Sequence, residues 1–292
     1  MSNRVAFPAL GLEFTLNRVA FSLFGFPIYW YGIIIAFGFL LAVLYMNRRV
    51  AEFGFSSDLL YDCLLWSVPT AILGARLYYV AFRWGYYGQH LNELLSTRSG
   101  GLAIYGGIIG ALLALCLLGR RRRLNIPAMF DLAALGLLIG QLVGRWANFV
   151  NAEAHGGETS FFFGMSINGG PPVHPTFLYE SLWNLAGFLL LHVVSKKYRR
   201  FHGQLFLSYL AWYGLGRFWI EGLRTDSLYI GSTGIRVSQL LSAVAAVVSI
   251  LLLVLCFRRG VQTVEQLWNP HADPRPQRTA APAPEASTDE KT

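Results

Sequence analysis

Between Ile28 and Phe257 the chain is a succession of apolar runs, each close to the roughly 20 residues that a helix needs to cross a bilayer. This restricts the fold more than any single motif does. A segment in lipid must satisfy its own backbone hydrogen bonds, and a helix does so without a partner strand. The runs predict seven spans: Ile28 to Met46, Leu59 to Ala81, Leu102 to Leu118, Ala128 to Asn148, Thr176 to Val194, Gln204 to Leu223 and Ile235 to Phe257. Composition agrees, since 54% of the 292 residues are hydrophobic and only 14% are charged. The expected fold class is therefore all-α, a polytopic membrane protein. Pro69 interrupts the second span, which membrane helices tolerate when neighbours satisfy the freed carbonyl.

Basic residues cluster after alternate spans: Arg48-Arg49, Arg120 to Arg123, Lys196-Lys197 with Arg199-Arg200, and Arg258-Arg259. By the positive-inside rule these ends face the cytoplasm, which puts the N-terminus outside and the C-terminus inside. The opposite ends carry only scattered cations (Arg4, Arg18, Arg83, Arg98, Arg224 and Arg236). The net charge of +8 then reflects anchors beside an anionic leaflet, and no nucleic-acid partner is needed to explain it. The first apolar run is too long for a cleavable signal peptide and leads into Arg48-Arg49 without a small-residue cleavage site, so it is expected to be a retained helix. Cys63, Cys116 and Cys256 fall in separate spans without metal-ligand spacing and are expected to be buried, inert thiols. The chain divides into a membrane domain over residues 1–260 and a Pro/Ala-rich cytoplasmic tail over 261–292, which is too polar to fold alone.

With this topology, the polar residues of the spans gather on the outer side. Tyr31 starts the first span, Arg76 sits in the outer half of the second, and Tyr105 begins the third. Arg145 and Asn148 end the fourth, Tyr179 and Glu180 begin the fifth, and Arg217, Glu221 and Arg224 end the sixth. Asp62 and Asp131 lie near cytoplasmic ends, where an acid in a first turn suits the helix dipole, and they are read as caps. Tyr213, Arg217, Glu221 and Arg224 follow an i, i+4, i+8, i+11 pattern that places them on one helical face. Arg145 and Asn148 are one turn apart, and the chain continues through Asn151, Glu153 and Gly156-Gly157. Two readings stand side by side here. Arg217 and Glu221 are a structural pair, or the four arginines Arg76, Arg145, Arg217 and Arg224, set against Glu153, Glu180 and Glu221, leave an outer cavity with excess positive charge. Such a cavity suits an anion, and the guanidinium fork matches phosphate.

The stretch from Arg98 to Gly107 contributes Gly100-Gly101 and Gly106-Gly107 around Tyr105. Glycines there allow close backbone approach, either to another helix or to a ligand. His155 and His174 lie in the outer loop without a second ligand at metal spacing, and His174-Pro175 is expected to set that loop against the fifth span. No metal and no cofactor is implied.

The run Gly144-Arg145-Trp146-Ala147-Asn148-Phe149-Val150-Asn151-Ala152-Glu153 with Gly156 closely resembles the signature of the bacterial prolipoprotein diacylglyceryl transferases. Trp30-Tyr31-Gly32, Gly74-Ala75-Arg76-Leu77, Arg98-Ser99-Gly100-Gly101 with Gly106-Gly107, His174-Pro175-Thr176 with Leu178-Tyr179-Glu180, and Tyr213-Gly214 with Arg217-Phe218 and Glu221 add ordered matches along the membrane region. The resemblance implies a multi-pass enzyme of the bacterial inner membrane with its site towards the outer side. Its partners would be phosphatidylglycerol, lipobox-containing preprolipoproteins and the lipid bilayer. It would transfer the diacylglyceryl group to the lipobox cysteine thiol, forming a thioether and releasing glycerol phosphate. By similarity Arg145 binds phosphatidylglycerol, followed by Arg217. Asn148, Asn151, Gly156, Arg76 and Arg224 complete the substrate site, and Glu153, Glu221, Tyr31 and Tyr105 join the two arginines in catalysis.

Many members carry a histidine at the position of Tyr105, and that histidine is favoured as the base for the thiol. A phenol is the poorer proton acceptor at neutral pH. Three assignments stay open: Tyr105 only orients substrate, Glu153 or Glu221 takes the proton, or the cationic field lowers the thiol pKa from its usual value of about 8.5. An anion or lipid transporter is the alternative function, and it would show polar groups through the full membrane depth. An intramembrane protease is disfavoured, because the spans hold neither a paired aspartate nor a serine-histidine arrangement.

Overall fold

A computed structural model describes residues 2–97, 100–229 and 233–273. Arg98 and Ser99 of the glycine-rich stretch, and residues 274–292 of the expected tail, lie outside the described residues. The helices are α1 (Trp30–Arg49), α2 (Ser57–Phe82), the single turn α3 (Trp84–Tyr87), α4 (Ile104–Arg121), α5 (Ile126–Asn151), α6 (Thr176–Lys197), α7 (Gln204–Leu223) and α8 (Val237–Arg259). The seven long ones coincide with the seven expected runs to within a few residues. Six of them, all but α7, are long and apolar enough to cross a membrane. α7 is a 20-residue helix carrying Arg217 and Glu221.

The chain forms two compact units, Met1–Arg48 with Phe130–Ala272, and a second built on Arg49–Met129. In the second unit α2 and α4 cross at glycines. A Cβ on Gly106 would lie 2.2 Å from the Gly74 carbonyl oxygen, and one on Gly110 would lie 2.2 Å from that of Thr70. Backbones this close gain packing contacts that larger side chains would prevent. Gly106 therefore serves helix packing. α2 continues through Pro69, and the Thr70 hydroxyl donates to the Trp66 and Ser67 carbonyls in the same turn. Asp62, expected as a cap, instead pairs with Arg122 at 2.7 Å.

In the first unit α1 meets α5 through small residues. Val143 packs on Gly38, Met46 lies over Gly136, and Ile35 lies over Gly144. α6 and α7 are joined by a reciprocal tryptophan clasp. Trp183 Nε1 donates to the Trp212 carbonyl and Trp212 Nε1 to the Trp183 carbonyl, both at 2.9 Å, with the rings stacked at 4.5 Å. Gly187 and Gly216 leave room for those indoles. α7 meets α8 where Gly214 faces the Ser242 carbonyl and Ala246. Asp131 is fully buried and accepts hydrogen bonds from the amides of Gly203 (2.8 Å) and Phe206 (2.9 Å). It caps the start of α7, not its own helix, as an anion at a helix N-terminus should.

Two features lie beyond the seven expected helices. The N-terminal residues form strands β1 (Ser2–Phe7), β2 (Leu12–Asn17), β3 (Val19–Leu23) and β4 (Phe26–Tyr29), with a short β5 (Ser166–Ile167) after α5. These make a three-stranded sheet in the order β2-β1-β5 and a separate β3-β4 hairpin. Val5 and Phe7 alternate inward from β1 and pack with Phe149, Met165 and Phe177, closing the end of the helices that carries Arg145. The second departure is at the C-terminus, where the expected disordered tail begins with ordered structure. The Val264 amide donates to the His202 carbonyl and the His202 amide to that of Gln262. Val261, Val264 and Leu267 pack on Phe201, Leu207 and Cys256.

Candidate active site

The last two turns of α5, the first two turns of α6 and the last two turns of α7 meet at a common polar cluster in the first unit. Glu180 lies at its centre with a side chain only 5% exposed. One carboxylate oxygen, Oε2, pairs with Arg145 at 2.5 Å, while Oε1 accepts from Arg217 at 2.9 Å and faces Arg224 at 3.8 Å. Arg217 reaches Glu221, one turn on, at 2.5 Å. Arg224 donates to both oxygens of Asp226, at 2.9 and 2.7 Å. Arg236 donates to the Glu221 carbonyl oxygen and, at 3.3 Å, to the Tyr229 hydroxyl. A buried ion pair persists only when its desolvation is offset by good geometry and further hydrogen bonds; the bonds from Arg217 to Glu180 and from Arg224 to Asp226 supply part of that offset.

Among the described residues Arg145, Arg217 and Arg224 face Glu180, Glu221 and Asp226, so each of these three guanidiniums meets a carboxylate. Arg236 adds a fourth guanidinium, which rests on the Glu221 carbonyl and the Tyr229 hydroxyl. Asp226 lies outside the helix, and the hydrogen bond from Arg224 holds its carboxyl below the ordinary carboxylate range.

A second polar group lies where the chain leaves α5. The side-chain amides of Asn148 and Asn151 both donate to Glu153 Oε1, at 3.2 Å, and the Glu153 amide closes on the Asn148 carbonyl at 3.1 Å. Its flanking residues, Ala152 and Ala154, sit at φ 52° and 55°. The left-handed region costs a residue with a Cβ roughly 1–2 kcal/mol, and such strain gathers at functional segments. Here it is held by the Thr176 hydroxyl, which donates to the Ala154 carbonyl. Gly156 and Gly157 then run beside the end of α7. The Gly157 amide donates to Leu223 and the Gly156 amide to His174, both at 2.9 Å. A Cβ on Gly156 would lie 2.7 Å from that of His174. Gly156 thus joins loop to helix by close packing, and His174 fixes the loop as expected, with its Nδ1 3.2 Å from the Tyr179 hydroxyl.

Comparison with known proteins decides what kind of site this is. The profile of the family described as prolipoprotein diacylglyceryl transferase matches residues 18–255. The chain is 44% identical over 256 residues to the phosphatidylglycerol–prolipoprotein diacylglyceryl transferase of Bacillus cereus, covering 84% of this chain and 94% of the relative. It is also 44% identical over 262 residues to the proteins of the same name from Bacillus mycoides and Bacillus anthracis, covering 86% of this chain and 96% of each relative. The chain belongs to the prolipoprotein diacylglyceryl transferase family. The arginine and carboxylate network is therefore the candidate active site of a member of this family, and the matched region includes every residue in it.

Measured against the expectations for such a transferase, the structure brings Arg145, Arg217, Glu221 and Arg224 together and sets Asn148, Asn151 and Glu153 as a group along the same chain segment. Tyr213 lines a small cavity with Glu180, Trp183, Gly216 and Arg217. Tyr31 is exposed on the first turn of α1. Arg76 and Tyr105 belong to the other unit. Tyr105 is half-buried on the first turn of α4.

Arg76 has a different task from the expected headgroup contact. Its Nε donates to the Leu94 carbonyl (2.7 Å), Nη1 to those of Gly100 (3.3 Å) and Gly101 (3.0 Å), and Nη2 to that of Glu93 (2.7 Å) and the Tyr87 hydroxyl (3.3 Å). A guanidinium has five N–H donors, and all five are engaged. Gly100 and Gly101 take positive φ values of 89° and 76° to offer those carbonyls, so this pair of glycines serves the Arg76 clamp. The sequence places Glu180 among the outer carboxylates without giving it a role in the site, and it does not single out Asp226. The spacing of Asp226, two residues after Arg224, was the available signal.

Proposed function

We propose that this protein transfers the diacylglyceryl group of phosphatidylglycerol to the lipobox cysteine thiol of preprolipoproteins. The observation that carries this reading is the convergence of Arg145, Arg217 and Arg224 on Glu180 in a chain of this family. The thiol sulfur attacks the glycerol carbon that bears the phosphodiester, the carbon–oxygen bond breaks, and glycerol phosphate leaves with the electron pair. Negative charge grows on the departing phosphate. Prepositioned guanidiniums stabilise it without reorganising, an effect worth about 3–4 kcal/mol per donor in a dry site.

Arg145 is the most exposed of the three arginine side chains, at 22%, and so is the one best placed to engage the lipid phosphate while Glu180 holds its other edge. Arg217 and Arg224 lie deeper and fix the field around it. For the thiol proton, Glu153 is the favoured acceptor. It is exposed and its two amide donors share Oε1, whereas Glu221 is buried against Arg217. Tyr105 then has an orienting role.

The same reading has all seven long helices crossing the bacterial inner membrane, with α7 shielded by its neighbours, the N-terminus and the site on the outer side, and the C-terminus in the cytoplasm. The placement of the basic clusters at Arg48-Arg49, Arg120 to Arg123, Lys196 to Arg200 and Arg258-Arg259 supports it. Family membership leaves the transporter alternative without support. Purified protein incubated with phosphatidylglycerol and a lipobox peptide should add a diacylglyceryl mass to the cysteine. A folded, reconstituted preparation that yields no adduct would refute the assignment.

A further inference from the structure

Among the described residues α6 buries the polar side chains of Thr176, Glu180, Ser181, Asn184 and Ser195. All but one are bonded inside the protein. Thr176 donates to the Ala154 carbonyl, Glu180 receives the site arginines, Ser181 donates to the Leu142 carbonyl and Ser195 to that of His192. Asn184 is 2% exposed, and its side chain makes no hydrogen bond among the described residues. Its amide carries two donors and an acceptor, and burying such a group without partners is costly. What it meets is a cavity, which it lines together with Glu180, Tyr213 and Arg217. The space takes about one water-sized group.

Position along the helices says which part of a lipid would reach it. Asn184 follows Glu180 by one turn on the same face of α6, about 5.4 Å further from the start of that helix at Thr176. α5 runs the other way. Ser181 Oγ accepts from Trp146 Nε1 at 3.1 Å and donates to the Leu142 carbonyl at 3.0 Å, so residues beyond Ser181 lie past Arg145, toward the middle of both helices. Both helices are long and apolar enough to cross a membrane, and that direction is therefore toward the hydrocarbon. A phospholipid is ordered along the same axis, with its headgroup outermost, then the phosphate, then the acyl esters, then the chains. With the phosphate on Arg145, the esters and not the headgroup glycerol come to the depth of Asn184. An ester carbonyl oxygen is neutral, accepts a hydrogen bond and matches the free space in size. A neutral amide donor suits it, while the guanidiniums one turn away take the charge.

We propose that Asn184 donates a hydrogen bond to an acyl-ester carbonyl of phosphatidylglycerol, so that the site reads the diacylglyceryl group by its ester linkage as well as the phosphate by its charge. This rests on the transferase reading and adds to it a substrate-binding residue outside the ion network. It makes the site selective for diacyl over dialkyl lipids, because an ether linkage has no carbonyl to accept the amide.

The test uses the full chain in detergent and compares diester phosphatidylglycerol with its diether analogue, in which a methylene replaces each ester carbonyl, as donors to a lipobox peptide. The parent should favour the diester. Asn184→Leu, close in size and unable to hydrogen-bond, should cut the diester-to-diether rate ratio by about 2- to 13-fold, the loss of one neutral hydrogen bond. Asn184→Ala should do the same without adding bulk to the cavity. Ser181→Ala removes an α5–α6 bond at neighbouring depth, and it should lower thermal stability while leaving the ratio at the parental value. Asn184 variants that slow both lipids equally overturn the proposal, because the amide would then hold a water or serve packing alone. So does a parent with no preference for the diester. A parent that transfers from neither lipid removes the transferase reading, and this proposal with it.

Discussion

Glu180 holds Arg145 on one carboxylate oxygen and Arg217 on the other, at 2.5 and 2.9 Å, so a single buried side chain from α6 sets the spacing of arginines from α5 and α7. Removing it leaves two buried guanidiniums without their shared partner, a change that typically costs about 3–5 kcal/mol. Glu180→Ala is expected to lower thermal stability by that order and to abolish transfer. Glu180→Gln keeps the shape and one acceptor and loses the charge, so it should be the more stable of the two while transferring at least about tenfold more slowly than the parent, the loss of one charged hydrogen bond. Thermal unfolding in detergent and initial rates on a lipobox peptide measure both. A Glu180→Ala protein with parental rates would remove the carboxylate from any part in the site.

Arg145→Lys tests whether the guanidinium fork matters as well as its charge. An ammonium is a point charge and cannot hold Glu180 with one edge and present a second pair of donors to a phosphate. Transfer should drop by about 10²–10³, in line with loss of one preorganised donor set, and Arg145→Ala should be inactive. Both proteins are expected to remain folded, because Arg217 and Arg224 still neutralise Glu180. Near-normal rates for either variant would refute headgroup binding by Arg145.

The helices were legible because a span in lipid is nearly its own determinant: length and hydropathy decide it, and local chemistry such as Pro69 barely intrudes. The strands were not. Val5 and Phe7 alternate over too few residues to stand out, and their burial depends on Phe149 and Phe177, which are distant in sequence. Within the site, the face shared by Arg217, Glu221 and Arg224 follows from helical spacing and is present. What spacing within one helix cannot give is the partner on the next, and so the central place of Glu180 emerges only from the packing of α6 on α7. Arg76 shows the converse. Its depth and charge resembled those of the site arginines, yet its five donors face four carbonyls and the Tyr87 hydroxyl of its own unit.

That α6–α7 packing rests on the tryptophan clasp, which gives the third prediction. A Cβ on Gly216 would lie 2.2 Å from Trp183 Nε1, and one on Gly187 would lie 2.4 Å from Trp212 Nε1. Gly216→Ala should push Trp183 off the Trp212 carbonyl and destabilise the protein by about 1–3 kcal/mol, as overpacking does. Gly187→Ala should act similarly. Combined, they should cost less than the sum, since either one alone breaks the same clasp. Full additivity in thermal unfolding would mean that the two indoles are independent.

The Arg224–Asp226 pair predicts a pH dependence. Arg224 holds the Asp226 carboxyl lower in the folded protein than the value of about 3.9 expected in the unfolded chain. A group depressed on folding contributes stability that is complete above its unfolded value and is lost as pH falls through the folded one. Stability should therefore decline on the acid side below about pH 4, and Asp226→Asn should flatten part of that decline while changing little at pH 7, where half of the Asp226 side chain is exposed. An unchanged acid-side slope in the asparagine variant would show that other carboxylates account for it.

Tyr105 supplies the last prediction, because a phenol is a poor proton acceptor at neutral pH. If its hydroxyl only orients substrate, Tyr105→Phe removes one hydrogen bond and no charge, a loss of about 0.5–1.5 kcal/mol or roughly 2- to 13-fold in rate. Glu153→Gln, which removes the favoured proton acceptor while retaining an oxygen for the amides of Asn148 and Asn151, should cost about 10²–10⁴, the usual contribution of a positioned base. The order of the two variants is the diagnostic, and single-turnover transfer to a lipobox peptide at several pH values reads it. Raising the pH should restore part of the rate to Glu153→Gln, since more thiolate forms without assistance, but should not restore the Tyr105→Phe deficit. A Tyr105→Phe protein as inactive as Arg145→Ala, and rescued by high pH, would move the proton to the phenol and reverse the assignment.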